Sequence, residues 1–83
     1  MTKQETRLRL EQLFLSVCQL QEETVNFDTN QLLIENGVNS IVALELLLGI
    51  EDEFSLEIDD EDLNSSLLND IAFLTEYVYE RIV

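Results

Sequence analysis

Between Ser40 and Phe54 the chain reads SIVALELLLGIEDEF, and Ala43, Leu46, Leu47, Ile50 and Phe54 stand at a, a+3, a+4, a+7 and a+11. That spacing returns side chains to one face of a 3.6-residue helix and does not fit the two-residue alternation of a half-buried strand. No proline interrupts this stretch or any other, and glycine occurs only twice. Leu, Glu and Gln abound, so intrinsic preference agrees with the periodicity. An all-α fold is expected, and 83 residues suffice for a single domain, residues 1–83, with one modest core.

The remaining segments fit around this helix. Thr2-Lys3-Gln4-Glu5 is a capping box, with Thr2 as N-cap and Glu5 as its reciprocal partner. Leu10, Leu13, Phe14, Val17 and Leu20 follow at helical spacing and predict a first helix over about residues 3–20. Cys18, at the border of that stripe, reads as a small core residue. The stretch QEETVNFDTNQLLIENGVN has no sustained period and predicts a long loop, with one turn around Gln31 to Ile34. Val25, Phe27, Leu32, Leu33 and Ile34 would pin that loop onto the core. The second helix should start at Ser40 with Asn39 as its N-cap. Asp59 or Asp60 should open a short third helix through about Ser65. A last helix near Asp70, capped by Asn69, would turn Ile71, Leu74, Val78 and Ile82 inward with Phe73 and Tyr77 flanking. The expected architecture is a small four-helix bundle with a short third helix and a long loop between the first two long helices.

Charge and composition narrow the function. Net charge is −14, and the only basic residues are Lys3, Arg7, Arg9 and Arg81. Phosphate backbones and anionic membranes need clustered Lys and Arg, so neither nucleic acid nor a membrane is an expected partner. A basic protein surface is the natural complement, because opposite potentials steer encounter. With one cysteine and no histidine, an internal disulfide, a Cys/His metal site and His-based acid–base catalysis are excluded. Absence of an apolar leader or spanning run makes a reducing cytoplasm the expected setting. A monomer is the expected state.

The second helix has another face, opposite its core stripe. Ile41, Glu45, Leu48 and Asp52 align there, with Leu44 and Glu51 alongside. An aliphatic and acidic mixture beyond what one-sided burial requires suits either packing under the short third helix or docking of a partner. Ser40, at the N-terminal edge of this face, is by itself an ordinary helix-start residue, although helix starts also suit a phosphate ester. The acidic run EIDDEDLNSS invites a calcium reading. Counted from Asp60, Asp62 and Asn64 fit the third and fifth places of an EF-hand loop. Ser65 stands at the sixth-place glycine and Ile71 at the twelfth-place acid, so the pattern fails and no metal site is expected. No catalytic residue is expected either, since Ser40 has neither a histidine nor a nearby lysine to activate it.

The order of these features resembles the acyl carrier protein family, including the peptidyl carrier domains, over nearly the whole chain. Its elements read here as Asn36-Gly37-Val38-Asn39-Ser40-Ile41, then Leu44-Glu45-Leu46, Glu51-Asp52-Glu53-Phe54 and Glu57-Ile58-Asp59-Asp60-Glu61, with a closing FLTEYV. The resemblance implies that Ser40 accepts 4′-phosphopantetheine from coenzyme A, supplied by a separate, magnesium-dependent phosphopantetheinyl transferase. The arm would hold acyl or aminoacyl intermediates as thioesters for fatty-acid, polyketide or nonribosomal-peptide type biosynthesis, and the protein would catalyse nothing. Asn39 would serve as helix cap and transferase-recognition residue. Ile41, Glu45, Leu48, Glu51 and Asp52 would meet basic surfaces of acyl or aminoacyl ligases and synthase enzymes. The chain departs from the family pattern at Asn39, where aspartate is usual, at Ile41, where Leu or Met is usual, and in a longer LNSSLLND link. These departures lean toward a specialised pathway. The alternative is an unmodified acidic docking module that keeps the carrier fold.

Overall fold

The structure, a computed structural model, describes residues 1–62 and 65–82. The described residues contain five α-helices and no strand: α1 Lys3–Val17, α2 Leu32–Glu35, α3 Ser40–Phe54, α4 Ser65–Asn69 and α5 Ile71–Ile82. The expected all-α architecture is present, with one more helix than anticipated because the turn near Gln31 closes into α2.

Helix α1 opens on the anticipated capping box. Glu5 N–H donates to Thr2 Oγ1 at 3.1 Å, and Thr2 N–H donates to Glu5 Oε1 at 3.3 Å. Each bond satisfies an amide that the first turn would otherwise leave orphaned. The helix ends at Val17 rather than Leu20, because Gln19 takes a left-handed φ of 54°. The chain folds back there so that Leu20 N–H reaches Leu15 O at 2.9 Å and Gln19 N–H reaches Ser16 O at 3.4 Å. This is the paired-bond termination usually built on glycine.

The core stripe of α3 is the one the spacing predicts: Ala43, Leu46, Leu47, Ile50 and Phe54 are all buried. They meet Leu10 and Phe14 from α1, Leu32 and Leu33 from α2, Leu67 and Leu68 from α4, and Ile71, Leu74, Tyr77 and Val78 from α5. Phe14 and Phe27 lie edge to face with ring centroids 6.2 Å apart, fixing the long loop to α1. Val25 and Phe27 pack on the core as expected. Ile34 does not pin the loop: it is 71% exposed. A four-residue helix can turn only one side inward, and Leu32 and Leu33 occupy that side. Cys18 packs half-buried on the core, and burial pushes its thiol upward from the ordinary range.

The third-helix region also differs from expectation. Asp60–Asp62 form a 3₁₀ turn, and the α-helix described after it spans Ser65–Asn69. Burial of Leu67 and Leu68 centres it there, later in the chain than the acidic run suggested; Leu63 and Asn64 lie outside the described residues. The last helix is capped by Asp70, whose Oδ1 accepts from Ala72 N–H at 3.1 Å and Phe73 N–H at 3.2 Å. Asn69, expected as that cap, instead accepts Leu33 N–H on its Oδ1 at 2.8 Å and joins α4 to α2. Tyr77, expected to flank, is buried, whereas Phe73 is exposed. None of the helices among the described residues is long and apolar enough to cross a membrane.

Candidate functional site

Geometry at the start of α3 follows from the turn before it. Gly37 adopts φ +64°, a left-handed conformation in which a side chain would be strained. Around it, Val38 N–H donates to Leu33 O at 2.9 Å and Gly37 N–H to Ile34 O at 3.2 Å, closing the C-terminus of α2. The chain leaves this turn extended and enters α3 at Asn39, with φ −85° and ψ 173°. Asn39 Oδ1 accepts Val42 N–H at 2.9 Å, and Asn39 O accepts Ala43 N–H at 3.0 Å. Asn39 is therefore the N-cap, as its position predicts.

Because Asn39 takes the capping role, the Ser40 side chain has none to perform. Ser40 is exposed, and its hydroxyl has no hydrogen-bond partner among the described residues. The amides of Ser40 and Ile41 likewise lack a partner there, at the positive end of a 15-residue helix. No acidic side chain occupies the first turn of α3 to repel an anion. A phosphate ester on this hydroxyl fits the donor set: free amides, a partial positive charge and an open approach.

A groove of about 190 Å³ lies beside the hydroxyl, lined by Leu33, Ile34, Val38, Asn39, Ser40, Ala43 and Asn69. No local spacing in the sequence links Ile34 or Asn69 to Ser40; the fold brings them together. On the other side of the hydroxyl runs the mixed face of α3. Ile41 is 70% exposed and Leu48 56%, with Leu44, Glu45 and Asp52 also in solvent. The structure thus brings Ser40, Ile41, Glu45, Leu48 and Asp52 onto one exposed surface, and Leu44 and Leu48 are each more than half exposed. Glu51 stands slightly apart, because its Oε2 accepts Ile58 N–H at 2.9 Å and so ties the connector back to α3. The left-handed Ser55, φ 53°, makes that return possible.

Each of the four cations is in an ion pair: Lys3 with Glu76, Arg7 with Glu11 and Asp28, Arg9 with Glu53 near the end of α3, and Arg81 with Asp59. Among the described residues none of them pairs with Glu45 or Asp52. Exposed pairs of this kind add little stability, about 0–1 kcal/mol each, and they leave the carboxylates of Glu45 and Asp52 without a basic partner among the described residues. The carboxylates of Asp59, Glu61 and Asp62 gather within 4.8 Å of one another. Two of them are already engaged, Asp59 Oδ2 with Arg81 at 3.4 Å and Asp62 Oδ2 with the Tyr77 hydroxyl at 2.9 Å.

Comparison with known proteins supplies the family. Residues 9–74 match the family described as "Phosphopantetheine attachment site", a span covering most of the chain and including α2, all of α3 and the groove. No solved structure matches the chain. The family binds 4′-phosphopantetheine covalently, and its domains serve as carriers in concert with phosphopantetheinyl transferases and synthase enzymes. With that match over most of its length, the chain belongs to the phosphopantetheine attachment family.

Proposed function

We propose that the Ser40 hydroxyl is the attachment point and that the protein carries acyl or aminoacyl intermediates for a specialised biosynthetic pathway. One observation carries the choice of residue: Asn39 caps α3 through its own side chain and leaves the neighbouring hydroxyl exposed and unpartnered among the described residues. In the loading step Ser40 Oγ attacks the pantetheine-side phosphorus of coenzyme A. A new phosphodiester bond forms there as the diphosphate linkage breaks. Adenosine 3′,5′-bisphosphate departs, and the hydroxyl proton passes to a base on the transferase. Ser40 supplies the nucleophilic oxygen, the first amides of α3 face the incoming charge, and Asn39 holds the helix start in place. Once attached, the group supplies a terminal thiol that holds cargo as a thioester.

Partner recognition falls to Ile41, Glu45, Leu48 and Asp52, with Glu51 contributing the part of its carboxylate not committed to Ile58. Their charge suits Arg- and Lys-bearing surfaces on transferases, ligases and synthases, in small and salt-sensitive interfaces. Asn39 in place of the family's aspartate, and Ile41 after the serine, favour a dedicated pathway over the main fatty-acid carrier. The cytoplasm, where thiols stay reduced, suits a carrier whose working end is a thiol.

The test is incubation with coenzyme A, magnesium and a broad-specificity transferase, followed by intact mass. A single arm on the wild-type protein and none on Ser40→Ala is expected. An unchanged wild-type mass, or equal loading of the variant, overturns the assignment and leaves the unmodified docking module as the reading.

A further inference from the structure

Ile34 is the most exposed of the large aliphatic side chains described, and the fold gives it no task. It forms one wall of the groove whose other wall includes Ser40. We propose that this groove is the resting site of the root of the arm, with Ile34 covering the branched dimethyl carbon that follows the phosphate. The inference rests on Ser40 being the attachment point.

Chemistry of the lining selects that part of the arm. Leu33, Ile34, Val38 and Ala43 offer hydrocarbon, and no charged side chain borders the groove among the described residues. The dimethyl carbon is the arm's one compact apolar unit, whereas its two amides need water or polar partners. Size makes the same selection. A groove of about 190 Å³ is smaller than the roughly 300–1,000 Å³ of sites that bury whole small molecules, so it holds the root and leaves the amides and thiol outside.

Tethering makes weak contact sufficient. An arm bonded to a wall of the groove is presented to it at an effective concentration in the millimolar range, with no translational entropy left to lose. The groove is also held in shape beforehand. Asn69 Oδ1 fixes Leu33 N–H at 2.8 Å, and the Gly37 turn fixes Val38 against α2. Rigid walls lower the ordering cost of binding. Seated there, the arm leans toward α2 and leaves Ile41 and Leu48 clear for partner proteins.

The experiment uses protein labelled at its methyl groups and loaded to completion. Intact mass and mapping of the Ser40 peptide come first, and a missing or misplaced arm overturns both the attachment and the groove. On the loaded protein, nuclear Overhauser contacts should run from the arm's dimethyl protons to the methyls of Ile34, Val38 and Ala43. The apo-to-holo shift should be larger at Ile34 than at Ile41. In loaded Ile34→Ser, checked for retained helicity by circular dichroism, the contacts to Val38 and Ala43 should weaken at least several-fold. Largest shifts at Ile41 with no contacts to the groove methyls overturn the groove and leave the attachment standing. Contacts undiminished in Ile34→Ser overturn the role given to Ile34.

Discussion

Replacing Asn39 separates two things that a residue before the proposed attachment serine can do: cap the helix and supply charge. Its Oδ1 accepts Val42 N–H at 2.9 Å, and no other side chain among the described residues serves that amide. Asn39→Ala leaves the amide to water and should cost about 1 kcal/mol, the usual loss for a removed N-cap. For a domain of this size that lowers Tm by about 4–8 °C. Asn39→Asp keeps the cap and adds a negative charge at the positive end of α3. No acidic residue in the first turn opposes it, so it should gain roughly 0.3–1 kcal/mol at low salt. The two effects differ in salt dependence. The Asp gain should fade as ionic strength rises and the Debye length shrinks to about 8 Å at 0.15 M, whereas the Ala loss should persist. Urea or thermal unfolding at low and high salt measures both, and loading rates on the same proteins report the functional side. Transferases that read an acidic residue before the serine should load Asn39→Asp faster than wild type. An Ala variant as stable as wild type would refute the capping argument, and with it the reason Ser40 is free.

The Tyr77 hydroxyl donates to Asp62 at 2.9 Å and accepts Asp59 N–H at 3.3 Å, so Tyr77→Phe should cost about 1–2 kcal/mol by thermal unfolding. Burial first, and the Asp62 carboxylate with it, raises this phenol above its ordinary range. Its contribution is therefore complete below the unfolded tyrosine value near pH 10 and is lost as pH climbs through the folded value; the Phe variant should show a flatter alkaline limb. Glu45→Lys puts a cation on the mixed face, and loading by a transferase should slow several-fold at low salt, with the difference shrinking in about 0.5 M salt. A salt-independent defect would place Glu45 outside the electrostatic surface.

Much of this was legible in the residues, for identifiable reasons. The α3 stripe and the capping box at Thr2 are local patterns, and nothing elsewhere in the fold competes with them. Asn39 was legible because Asn before an apolar helical run has few other uses. The early end of α1 was not, because Gln19 takes the left-handed turn without a glycine to announce it. Asn69 and Asp70 are adjacent residues with equal claims to cap α5. A bond to Leu33, 36 residues away, decides between them, and no local window contains it. Glu51 reads as a surface acid until Ser55 turns the chain and brings Ile58 N–H to it. The groove beside Ser40 escaped for the same reason: Ile34, Ala43 and Asn69 come from three helices and meet only in the folded chain.

The central claim is that the Ser40 hydroxyl bears the arm, and intact mass of the protein purified from the cells that make it, followed by peptide mapping, tests this most directly. One phosphopantetheine, with or without cargo, on the peptide containing Ser40 is the predicted result. Protein recovered wholly unmodified, or modified at another residue, would contradict it.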